Sequence, residues 1–591
     1  MWQFVLMVAA IAAAHQGLHA FGWKFSFVFR NQDVQMGRRC TFSRTIRVTS
    51  VLWVVVRMRL RINQIIMKLE YTMEDVLYAI ARRLGAREQD LANVEVLRRS
   101  IDARKKDRPP HYVLSAEVTY EGQTPPPLAP GQVDVVQEPE PRPVARSTRP
   151  GAHRPVVVGA GPAGLMAALM LAEAGCRPLL VERGEQTETR QLQVATFWRQ
   201  ALLNPESNVL YGEGGAGLFS DGKLTARSKD RFAVRHLFET LVACGASPDI
   251  LIDAEPHIGS DVLTEIIPVL RQRIVESGGE VQFNARLDDM DTEDGTLRGV
   301  VVSGTEHRTD ACFLATGHSA RDVYRLLGRK AVPLEAKPFA IGVRLEFPQR
   351  RIDWAQYGRW ALLSSLGSAS FRLTWKGGHD TRSCYSFCMC PGGLVLACAS
   401  SEGLLTTNGM SFSGRAKTLG NAAFLVPVGA KDYPLQEGDQ PALGGVAFQE
   451  ALERATFEAG GSDYSLPAQP LVKFLAGTDP QEIPAERSCT RAVPANLETL
   501  LPPMIIDTLR RAIPRMLREL NDVRQEEVLV YATETRSSSP VRIVRDPSTG
   551  ESLGVRGLYP IGEGSGYAGG IVSSALDGMN AATRWLERAN G

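Results

Sequence analysis

The chain has 591 residues, of which 44% are hydrophobic and 22% are charged, and its net charge is +2. This length predicts several domains with sizeable cores. The near-neutral net charge gives no general reason to expect a nucleic-acid partner. The nine cysteines are odd in number and widely spread, which is not the pattern of a disulfide framework. We therefore expect a protein of the reducing cytoplasm.

Residues 1–57 show no sustained hydrophobic period. An apolar run over 4–14 covers about 11 residues, whereas a helix needs roughly 20 to span a bilayer. A secretory signal requires a basic residue before its apolar run, and no Lys or Arg precedes this one. We interpret the segment as an extension outside the fold, with Met58 beginning the folded protein and no membrane partner. An N-terminal anchor is the alternative.

Residues 58–120 predict a small α+β domain. Apolar residues alternate over 59–67, as in a strand, and then repeat at helical spacing over Met73–Leu84. Thr72 is expected to cap this helix and Gly85 to end it. Two further strands are expected, over residues 94–101 and 112–120. Together these elements predict a β-α-β-β domain.

The segment between the last two of these strands is basic. Residues 98–108 contain six Lys and Arg residues against two Asp. We interpret it as a solvated hairpin, with a contact to RNA or phosphate as the alternative. Residues 121–155 contain nine prolines, so we expect 121–153 to be a stiff or disordered linker.

A dinucleotide fingerprint follows the apolar strand Val156–Val158. Gly159 permits a tight turn, Gly161 lets the backbone approach a pyrophosphate, and Gly164 lets the next helix pack closely on the sheet. The start of that helix attracts phosphate through its free N–H groups and partial positive charge. Glu182 ends the next strand, where an acid accepts hydrogen bonds from a ribose diol. The pattern predicts FAD or NAD rather than NADP.

Two later strands favour FAD. Residues 311–317 are an apolar run that ends in Thr-Gly, and residues 557–563 are another that ends in Gly-Glu. The first resembles the second nucleotide-side strand of FAD proteins of the glutathione-reductase type. In that superfamily a terminal Gly-Asp holds the ribityl chain, and Glu563 is expected to take the place of the Asp.

A glycine-rich loop, residues 208–224, supplies a third predicted contact. Five glycines within 11 positions and apolar flanks suit backbone pressed against a planar ligand, so we interpret it as a flavin-side loop. The residues predicted to contact the cofactor are Gly159, Gly161, Pro162, Ala163, Gly164, Glu182, Arg183, Gly214, Gly215, Thr316, Gly317, Gly562, Glu563, Gly569, Gly570 and Ile571.

The rest of the chain is expected to wrap around an insertion. Residues 154–335 predict the first part of the FAD-binding domain. Strands and loops dominate from 336 to 525, which we interpret as an inserted substrate or cap domain. Residues 526–591 predict the return to the FAD-binding domain, beginning with a strand over 527–532.

Longer motifs carry a resemblance to a known family. They are residues 100–106, 208–224, 386–393, 408–411, 534–542 and 562–571. Over most of its length from Met58 onward, the chain resembles the bacterial NAD(P)/FAD-dependent oxidoreductase family of uncharacterised FAD-dependent dehydrogenases. The resemblance implies bound FAD and leaves the reaction unassigned.

The expected fold class is α/β. It comprises a Rossmann-like FAD-binding domain with a three-layer ββα arrangement, an inserted mixed α+β substrate or cap domain, and the small N-terminal β-α-β-β domain. A final helix over 572–586 begins after Gly569-Gly570-Ile571. In the superfamily such a helix end sits at the pyrimidine edge of the flavin, where its partial positive charge stabilises the reduced flavin and favours hydride acceptance.

Neither a second redox centre nor a metal site is expected. Only one dinucleotide fingerprint is present, so NAD(P)H is expected only as a transient electron donor. Cys388 and Cys390 are two positions apart, and a disulfide between them would be strained. We interpret them as buried structural thiols, and no His lies nearby to complete a metal site.

Arg536, Arg542 and Lys223 are the candidates for catalysis. Arg536 follows Glu534 and precedes three serines, a setting for binding an anionic substrate or donating a proton. The alternative is a structural arginine paired with Glu534. His318 follows the Thr-Gly turn, and we expect it to cap a helix over 319–327, with a cofactor contact as the alternative.

Three function classes stay open. The first is an FAD-dependent dehydrogenase or reductase that acts on an unidentified small organic substrate through hydride transfer at the flavin. The second is a flavin monooxygenase that resembles the aromatic hydroxylases. The third is a flavin-binding RNA-modifying or regulatory protein that uses the basic residues 98–108. No oligomeric state is favoured by the sequence.

Overall fold

The computed structural model describes residues 24–27, 54–122, 124, 126–136, 153–225, 228–378, 381–435 and 440–590. The chain divides into two compact units. Unit 1 comprises Met1–Arg142 with Ile252–Ala254, and unit 2 comprises Pro143–Leu251 with Glu255–Gly591. Within the described ranges, no helix combines the length and the apolar character needed to cross a bilayer.

Unit 1 is an antiparallel sheet with one helix. Its elements are β1 (Lys24–Phe27), β2 (Val54–Met67), α1 (Met73–Leu84), β3 (Leu91–Asp102), β4 (His111–Gly122) and β5 (Val133–Val135). The strand order is β1-β2-β4-β3, and β5 also pairs with β2. Val76 and Ile80 of α1 are buried in one core with Leu60, Ile62 and Leu114 of the sheet. The predicted β-α-β-β elements are therefore present.

Helix α1 begins and ends at the predicted residues because both of its ends are capped locally. The N–H of Asp75 donates to Oγ1 of Thr72 (3.2 Å), and the N–H of Thr72 donates to Oδ2 of Asp75 (2.8 Å). Gly85 then takes φ +61°, a left-handed conformation that glycine adopts readily.

Two predicted boundaries of unit 1 are wrong. β2 begins at Val54, inside the predicted extension 1–57, and pairs there with β1. β5 lies inside the predicted linker 121–153 and pairs with residues 60–62 of β2. Such short edge strands are specified by the partner strand more than by their own residues. The apolar run over 4–14 lies outside the described residues.

The basic residues 98–108 cover the end of β3 and the loop that leads to β4. Within this stretch, Arg104 donates to both carboxylate oxygens of Asp102 (3.0 and 2.5 Å). An exposed pair of this kind contributes little to stability. A contact of these residues with RNA stays a prediction.

Unit 2 begins with the predicted nucleotide-binding elements. These are β6 (Val156–Val158), α2 (Pro162–Glu173), β7 (Leu179–Val181), α3 (Thr187–Gln200), α4 (Arg231–Ala243), α5 (Ser260–Glu276), β8 (Glu280–Gln282), β9 (Leu287–Glu293), β10 (Thr296–Val302), β11 (Thr305–Arg308), β12 (Cys312–Leu314), α6 (Arg321–Arg329) and β13 (Leu334–Ala336).

The middle and last parts of unit 2 complete the chain. The middle part contains β14 (Phe339–Pro348), α7 (Gln349–Tyr357), β15 (Thr374–Trp375), β16 (Cys384–Cys390), β17 (Leu394–Cys398), β18 (Thr406–Met410), β19 (Leu419–Val428), α8 (Gly444–Ala459), β20 (Leu466–Pro470), α9 (Leu471–Ala476), β21 (Ala492–Pro494), α10 (Pro503–Leu517) and β22 (Leu529–Glu534). The last part contains β23 (Val541–Ile543), β24 (Leu558–Pro560) and α11 (Ile571–Asn590).

The centre of unit 2 is a parallel sheet in the order β24-β12-β6-β7-β8. Alternate residues of a strand face opposite sides. Val157 packs with α2, α5 and α11, whereas Val156 and Val158 pack with the antiparallel sheet β11-β10-β9. The carboxyl ends of β6, β12 and β24 share one edge, which is where open α/β sheets bind ligands.

A second sheet in unit 2 has seven strands, in the order β15-β16-β19-β14-β22-β20-β21. Its two longest strands, β14 and β19, pair along their full length and are almost completely buried. Helix α10 contributes Ile505, Leu509 and Ile513 to the core on one side of this sheet. Two short antiparallel pairs, β17-β18 and β13-β23, complete the unit.

The prediction for residues 336–591 is wrong at one boundary. The strand expected to return to the FAD-binding domain is β22, which instead pairs with β14 and β20 inside the seven-stranded sheet. The return therefore begins after Glu534 rather than at residue 526. The inserted part combines the strands β14 to β22 with the four helices α7 to α10, which agrees with the expected mixed α+β composition.

Candidate functional site

The turn between β6 and α2 presents backbone at the carboxyl edge of the parallel sheet. Gly159 takes φ +103°, a conformation that favours glycine. Gly161 is the N-cap of α2 and makes no side-chain cap, and the first turn of this helix contains no acidic residue. The first N–H groups of α2 are therefore available to an anion.

Glu182 is buried beyond the end of β7 and joins two loops. Its carboxylate accepts hydrogen bonds from the N–H groups of Ala160 (2.8 Å), Gly184 (3.0 Å) and Gly212 (3.0 Å). The first of these bonds reaches Oε2 and the other two reach Oε1. A carboxylate oxygen has two lone pairs, so Oε2 keeps one for a ribose hydroxyl. Glu182 thus fits the predicted role and also ties the fingerprint turn to the glycine-rich loop.

Arg190 of α3 holds the glycine-rich loop, and sequence reasoning missed it. Its side chain is completely buried. The guanidinium donates to the carbonyl oxygens of Asn208 (2.9 Å), Val209 (2.9 Å), Glu213 (2.6 Å) and Gly215 (2.9 Å). Burial lowers the pKa of Arg190 to about 10. No motif marked this residue, because its partners are backbone carbonyls, which any residue carries.

The glycine-rich loop lies against the start of two helices. A Cβ atom on Gly215 would be 3.1 Å from Cα of Gly161, and one on Gly217 would be 3.1 Å from Cγ1 of Ile571, the first residue of α11. Gly214 also takes φ +84°. The structure therefore brings the predicted fingerprint, the loop and the start of α11 together.

The ends of β12 and β24 meet beside the same turn. These strands are adjacent and parallel, so Gly317 and Gly562 follow them at one edge of the sheet. A Cβ atom on Gly562 would be 2.8 Å from Cβ of Ala163 in the first turn of α2, and one on Gly564 would be 2.6 Å from the carbonyl oxygen of Gly317. The predicted residues on both strand ends thus lie close to α2.

His318 contacts Glu563 instead of capping a helix. Its Nδ1 lies 3.4 Å from Oε1 of Glu563, and its side chain is only 10% exposed. Helix α6 begins at Arg321 and has Ala320 as its N-cap, without a side-chain cap. The capping prediction is therefore wrong. Nε2 of His318 is buried and has no partner within the described residues, so a ligand here would satisfy it.

An apolar cavity lies beside the predicted cofactor residues. It has a volume of about 40 Å³, and its lining includes Pro162, Gly214, Gly217 and Ile571. Aliphatic side chains of α2, α4 and α5 supply most of the remaining wall. A cavity of this size is much smaller than a typical ligand pocket, so it is a packing gap next to the glycine-rich loop.

Arg183, which was predicted to contact the cofactor, is engaged by protein groups. Its Nε donates to Glu206 (2.8 Å), and one of its terminal nitrogens donates to Asp322 (3.1 Å). The guanidinium also lies over the ring of Tyr211, 4.4 Å from its centroid. These contacts fix the side chain next to the end of β7, and its contact with the cofactor stays a prediction.

Lys223 also has protein partners. Its Nζ donates to the carbonyl oxygen of Met389 in β16 and lies 3.8 Å from Oδ2 of Asp221. The residue thus joins the glycine-rich loop to the seven-stranded sheet. A catalytic role for Lys223 stays a prediction.

Arg542 of β23 has the most exposed side chain of the three catalytic candidates. Its side chain is 41% exposed and lies 3.9 Å from Glu335. The guanidinium is over the ring of Tyr567, 5.2 Å from its centroid, and Nε is buried without a partner in the described structure. A catalytic role for Arg542 also stays a prediction.

Arg536 forms a buried ion pair with Glu453 of α8. Its Nε and one terminal nitrogen donate to the two carboxylate oxygens (2.8 and 2.7 Å), and the other donates to Ser400 (2.8 Å). Arg321 binds the same carboxylate (2.9 and 2.8 Å). Burial alone would raise the pKa of Glu453, but the two guanidinium groups hold it well below its usual range.

The alternative prediction that Arg536 pairs with Glu534 is wrong. Glu534 accepts two hydrogen bonds from the buried Arg344 (both 2.8 Å). Glu534 and Arg536 are two positions apart, yet they belong to different ion pairs. The planar fork of Arg536, which was expected to grip a substrate, is already engaged by Glu453. Its catalytic role stays a prediction.

These residues together fit an FAD cofactor. The uncapped start of α2 suits a pyrophosphate, the glycines leave room for a flat ligand, and His318 has a buried nitrogen in need of a partner. Among the described His, Cys, Asp and Glu residues, no group of three or more is arranged to hold a metal ion.

Comparison with known proteins agrees with this cofactor. Residues 154–318 match the family described as an FAD binding domain, and residues 338–537 match the family described as FAD-dependent protein, C-terminal domain-like. Residues 59–119 match a domain of unknown function. An uncharacterized protein of Clostridium beijerinckii is 38% identical over 543 residues, which cover 90% of this chain and 99% of that protein.

Similarity to solved structures is weaker. The halogenase PltM is 10% identical with a TM-score of 0.35, and covers 74% of this chain and 69% of its own. Glycine oxidase from Bacillus cereus is 11% identical with a TM-score of 0.29, and covers 74% and 98%. These values do not identify a reaction. The match to the FAD binding domain makes FAD the cofactor and the protein an FAD-dependent oxidoreductase.

The fingerprint turn gives a first test. A Cβ atom on Gly161 would meet only Cα of Gly215, 3.8 Å away, so we expect Gly161→Val to fold. Its branched side chain would occupy the space of the pyrophosphate and weaken FAD binding by more than about a hundredfold, or roughly 3 kcal/mol. Flavin absorbance per protein and the Tm measure both effects. Gly429→Val, at a site with no atom within 4 Å, is the matched control. Full flavin content in Gly161→Val would contradict this assignment.

The ion pair of Glu453 gives a second test. Arg536→Ala leaves this buried carboxylate with Arg321 alone, and we expect a loss of stability of about 3 kcal/mol. Because the pKa of Glu453 is lowered in the folded protein, its ion pair stabilises the fold fully above the unfolded pKa of about 4.3. The difference in Tm between Arg536→Ala and the natural protein should therefore stay constant near neutral pH and narrow as the pH falls below about 4.

Arg536→Lys separates the structural role from a catalytic one. Lysine keeps the charge next to Glu453 but lacks the planar fork. A structural role predicts a smaller loss of Tm than in Arg536→Ala and an unchanged rate of flavin reduction per bound FAD. A lower rate in both variants at an unchanged Tm would instead show contact with substrate.

Proposed function

Because the chain belongs to the same protein family as the Clostridium beijerinckii protein and carries an FAD binding domain, we propose that it is an FAD-dependent dehydrogenase or reductase. Its reaction moves a hydride between bound FAD and a small organic substrate. NAD(P)H is the proposed transient electron donor. The observation that carries this proposal is the geometry at the start of α11.

The N-terminus of α11 is built to receive negative charge. Within the described structure, the N–H groups of Ile571, Val572 and Ser573 donate to no protein acceptor, and the first turn contains no acidic residue. Gly217 of the glycine-rich loop lies directly against Ile571. A helix N-terminus carries about half a positive charge, which stabilises an anion placed next to it. This supports hydride acceptance, because a flavin that accepts a hydride becomes an anion.

The residues around this helix supply the other functions of the site. The first N–H groups of α2 would hold the pyrophosphate, and Glu182 would accept a hydrogen bond from the ribose through Oε2. His318 and Glu563 would flank the ribityl chain at the ends of β12 and β24. FAD, when bound, supplies the hydride chemistry.

The proposal is tested by reducing the purified holoprotein without oxygen. Bleaching of the flavin by NADH or NADPH, and its reoxidation by an added organic acceptor, is the expected result. A monooxygenase would instead consume oxygen with NAD(P)H and place one oxygen atom in the product. Retention of RNA by the full-length protein, with no flavin reduction by either nucleotide, would favour the RNA-modifying or regulatory alternative.

The charge of the α11 N-terminus can be varied at Ser573. Its Oγ accepts a hydrogen bond from the N–H of Gly569 (3.1 Å) and donates one to the carbonyl oxygen of Gly570 (3.1 Å), and Asp can keep only the first of these bonds. Ser573→Asp adds a carboxylate to the first turn, which should make the flavin reduction potential more negative by on the order of 10–20 mV, the equivalent of 0.3–1 kcal/mol. Ser573→Asn is the neutral control of the same shape. An equal potential in both variants would show that the helix end does not act on the flavin.

A further inference from the structure

The end of β16 contains an irregularity that brings two thiols together. Pairing with β19 shifts register between Phe387 and Cys390, and Cys388 takes φ +43°, in the left-handed region. Residues other than glycine adopt this region at a cost, and such positions cluster at functional sites. Bulges of this kind redirect side chains next to active sites. Here the Cys390 thiol donates to the carbonyl oxygen of Cys388 (3.3 Å).

The two thiols differ in exposure. Cys388 is partly exposed, whereas Cys390 is completely buried. The other described cysteines are all buried, and they are Cys176, Cys244, Cys312, Cys384, Cys398 and Cys489. Cys390 is buried as predicted, and a structural role for the two thiols stays a prediction. A disulfide between residues two positions apart in a regular strand would be strained, and the register shift at Cys388 takes the pair out of that regular geometry.

Charged side chains from two other elements reach the backbone of this pair. Arg344 of β14 donates to the carbonyl oxygen of Cys388 (3.3 Å), and Lys223 donates to that of Met389. Glu534 of β22 is paired with Arg344. Asp221, near Lys223, is itself held by Arg415 through two hydrogen bonds (3.1 and 2.5 Å). Three cations against two carboxylates leave a surplus of positive charge next to the thiols.

This environment favours the thiolate of Cys388. The hydrogen bond from the Cys390 thiol, with the charges of Arg344 and Lys223, lowers the pKa of Cys388 to about 7, although burial and Glu534 oppose the shift. The same hydrogen bond and burial raise the pKa of Cys390. A thiolate next to a protonated thiol is the reactive state of a dithiol centre.

The pair is also attached to the predicted flavin-side loop. Lys223 and Asp221 belong to that loop, and Ser411 next to β18 donates to the carbonyl oxygen of Ser220 in it (3.4 Å). Ser411 in turn donates through Oγ to the carbonyl oxygen of Pro391, directly after the thiols (2.9 Å). The loop that packs on Gly161 and Ile571 is thus the loop that holds the thiol strand.

We propose that Cys388 and Cys390 form a dithiol–disulfide centre that exchanges an electron pair with the bound FAD. Its oxidation forms the bond between the two sulfur atoms and releases the proton of the Cys390 thiol together with two electrons. FAD takes up the two electrons and that proton, so the exchange balances without a further reactant. The centre goes beyond the proposed hydride reaction and depends only on the presence of FAD.

The test is an anaerobic titration of the oxidised holoprotein with dithionite. The background is Cys40→Ser, because Cys40 lies outside the described residues. We expect this protein to take up one electron pair more per FAD than the same protein with Cys390→Ser, which cannot form the disulfide. Cys384→Ser removes a buried thiol of the same strand and should retain the extra pair. Equal electron uptake with and without Cys390 would overturn the proposal.

A second measurement needs no variant at the pair. After oxidation with diamide, the denatured and alkylated protein should yield a peptide in which Cys388 and Cys390 are joined and unlabelled. Recovery of both as alkylated thiols would overturn the proposal. Because dithionite and diamide replace the natural reactants, both results stand even if NAD(P)H fails to reduce the flavin.

The rate of alkylation of Cys388 tests its environment. Cys390→Ser keeps a hydrogen-bond donor, whereas Cys390→Ala removes it. We expect the rate at neutral pH to fall about tenfold in Cys390→Ala and to change little in Cys390→Ser, because the thiolate fraction follows the pKa of the thiol. An unchanged rate in Cys390→Ala would show that the pair is not coupled.

Discussion

The geometry of residues 208–215 is the constraint on which the site depends. Arg190 donates hydrogen bonds to carbonyl oxygens of this segment, and Glu182 accepts hydrogen bonds from N–H groups of the segment and of the fingerprint turn. Leaving one of these buried groups without a partner costs about 1–3 kcal/mol, so the two side chains determine the path of the loop. With its polar groups turned inward, the loop presents Gly215 and Gly217 to the starts of α2 and α11.

Buried ion pairs extend this organisation into the rest of unit 2. Arg344 joins β14 to Glu534 of β22, and Glu453 of α8 joins Arg321 of α6 to Arg536. A buried pair is weak evidence for net stability, but the loss of one partner leaves an uncompensated charge. The pairs therefore specify how the inserted sheet meets the elements around β12. Arg536 therefore has a structural role that does not depend on its role in the reaction.

The predicted flavin site and the proposed dithiol centre share one support. The glycine-rich loop lies against the starts of two helices on one side, and through Lys223 and Asp221 it holds the thiol strand on the other. Positive charge lies on both sides of the loop. The uncapped helix ends favour a reduced, negative cofactor, and the surplus of cations favours a thiolate.

The sequence by itself determined the local elements of this protein. The turn from β6 to α2 needs glycines at fixed short spacings, and α1 is delimited by Thr72, Asp75 and Gly85, so both follow from neighbouring residues. Only the tertiary structure decided the sheet to which β22 belongs and the partner of Arg536, which is 83 positions away. The charged side chains around Cys388, those of Arg344 and Lys223, likewise belong to residues far away along the chain. Local backbone geometry leaves a pattern in the residue order, whereas contacts between distant side chains depend on how the elements pack.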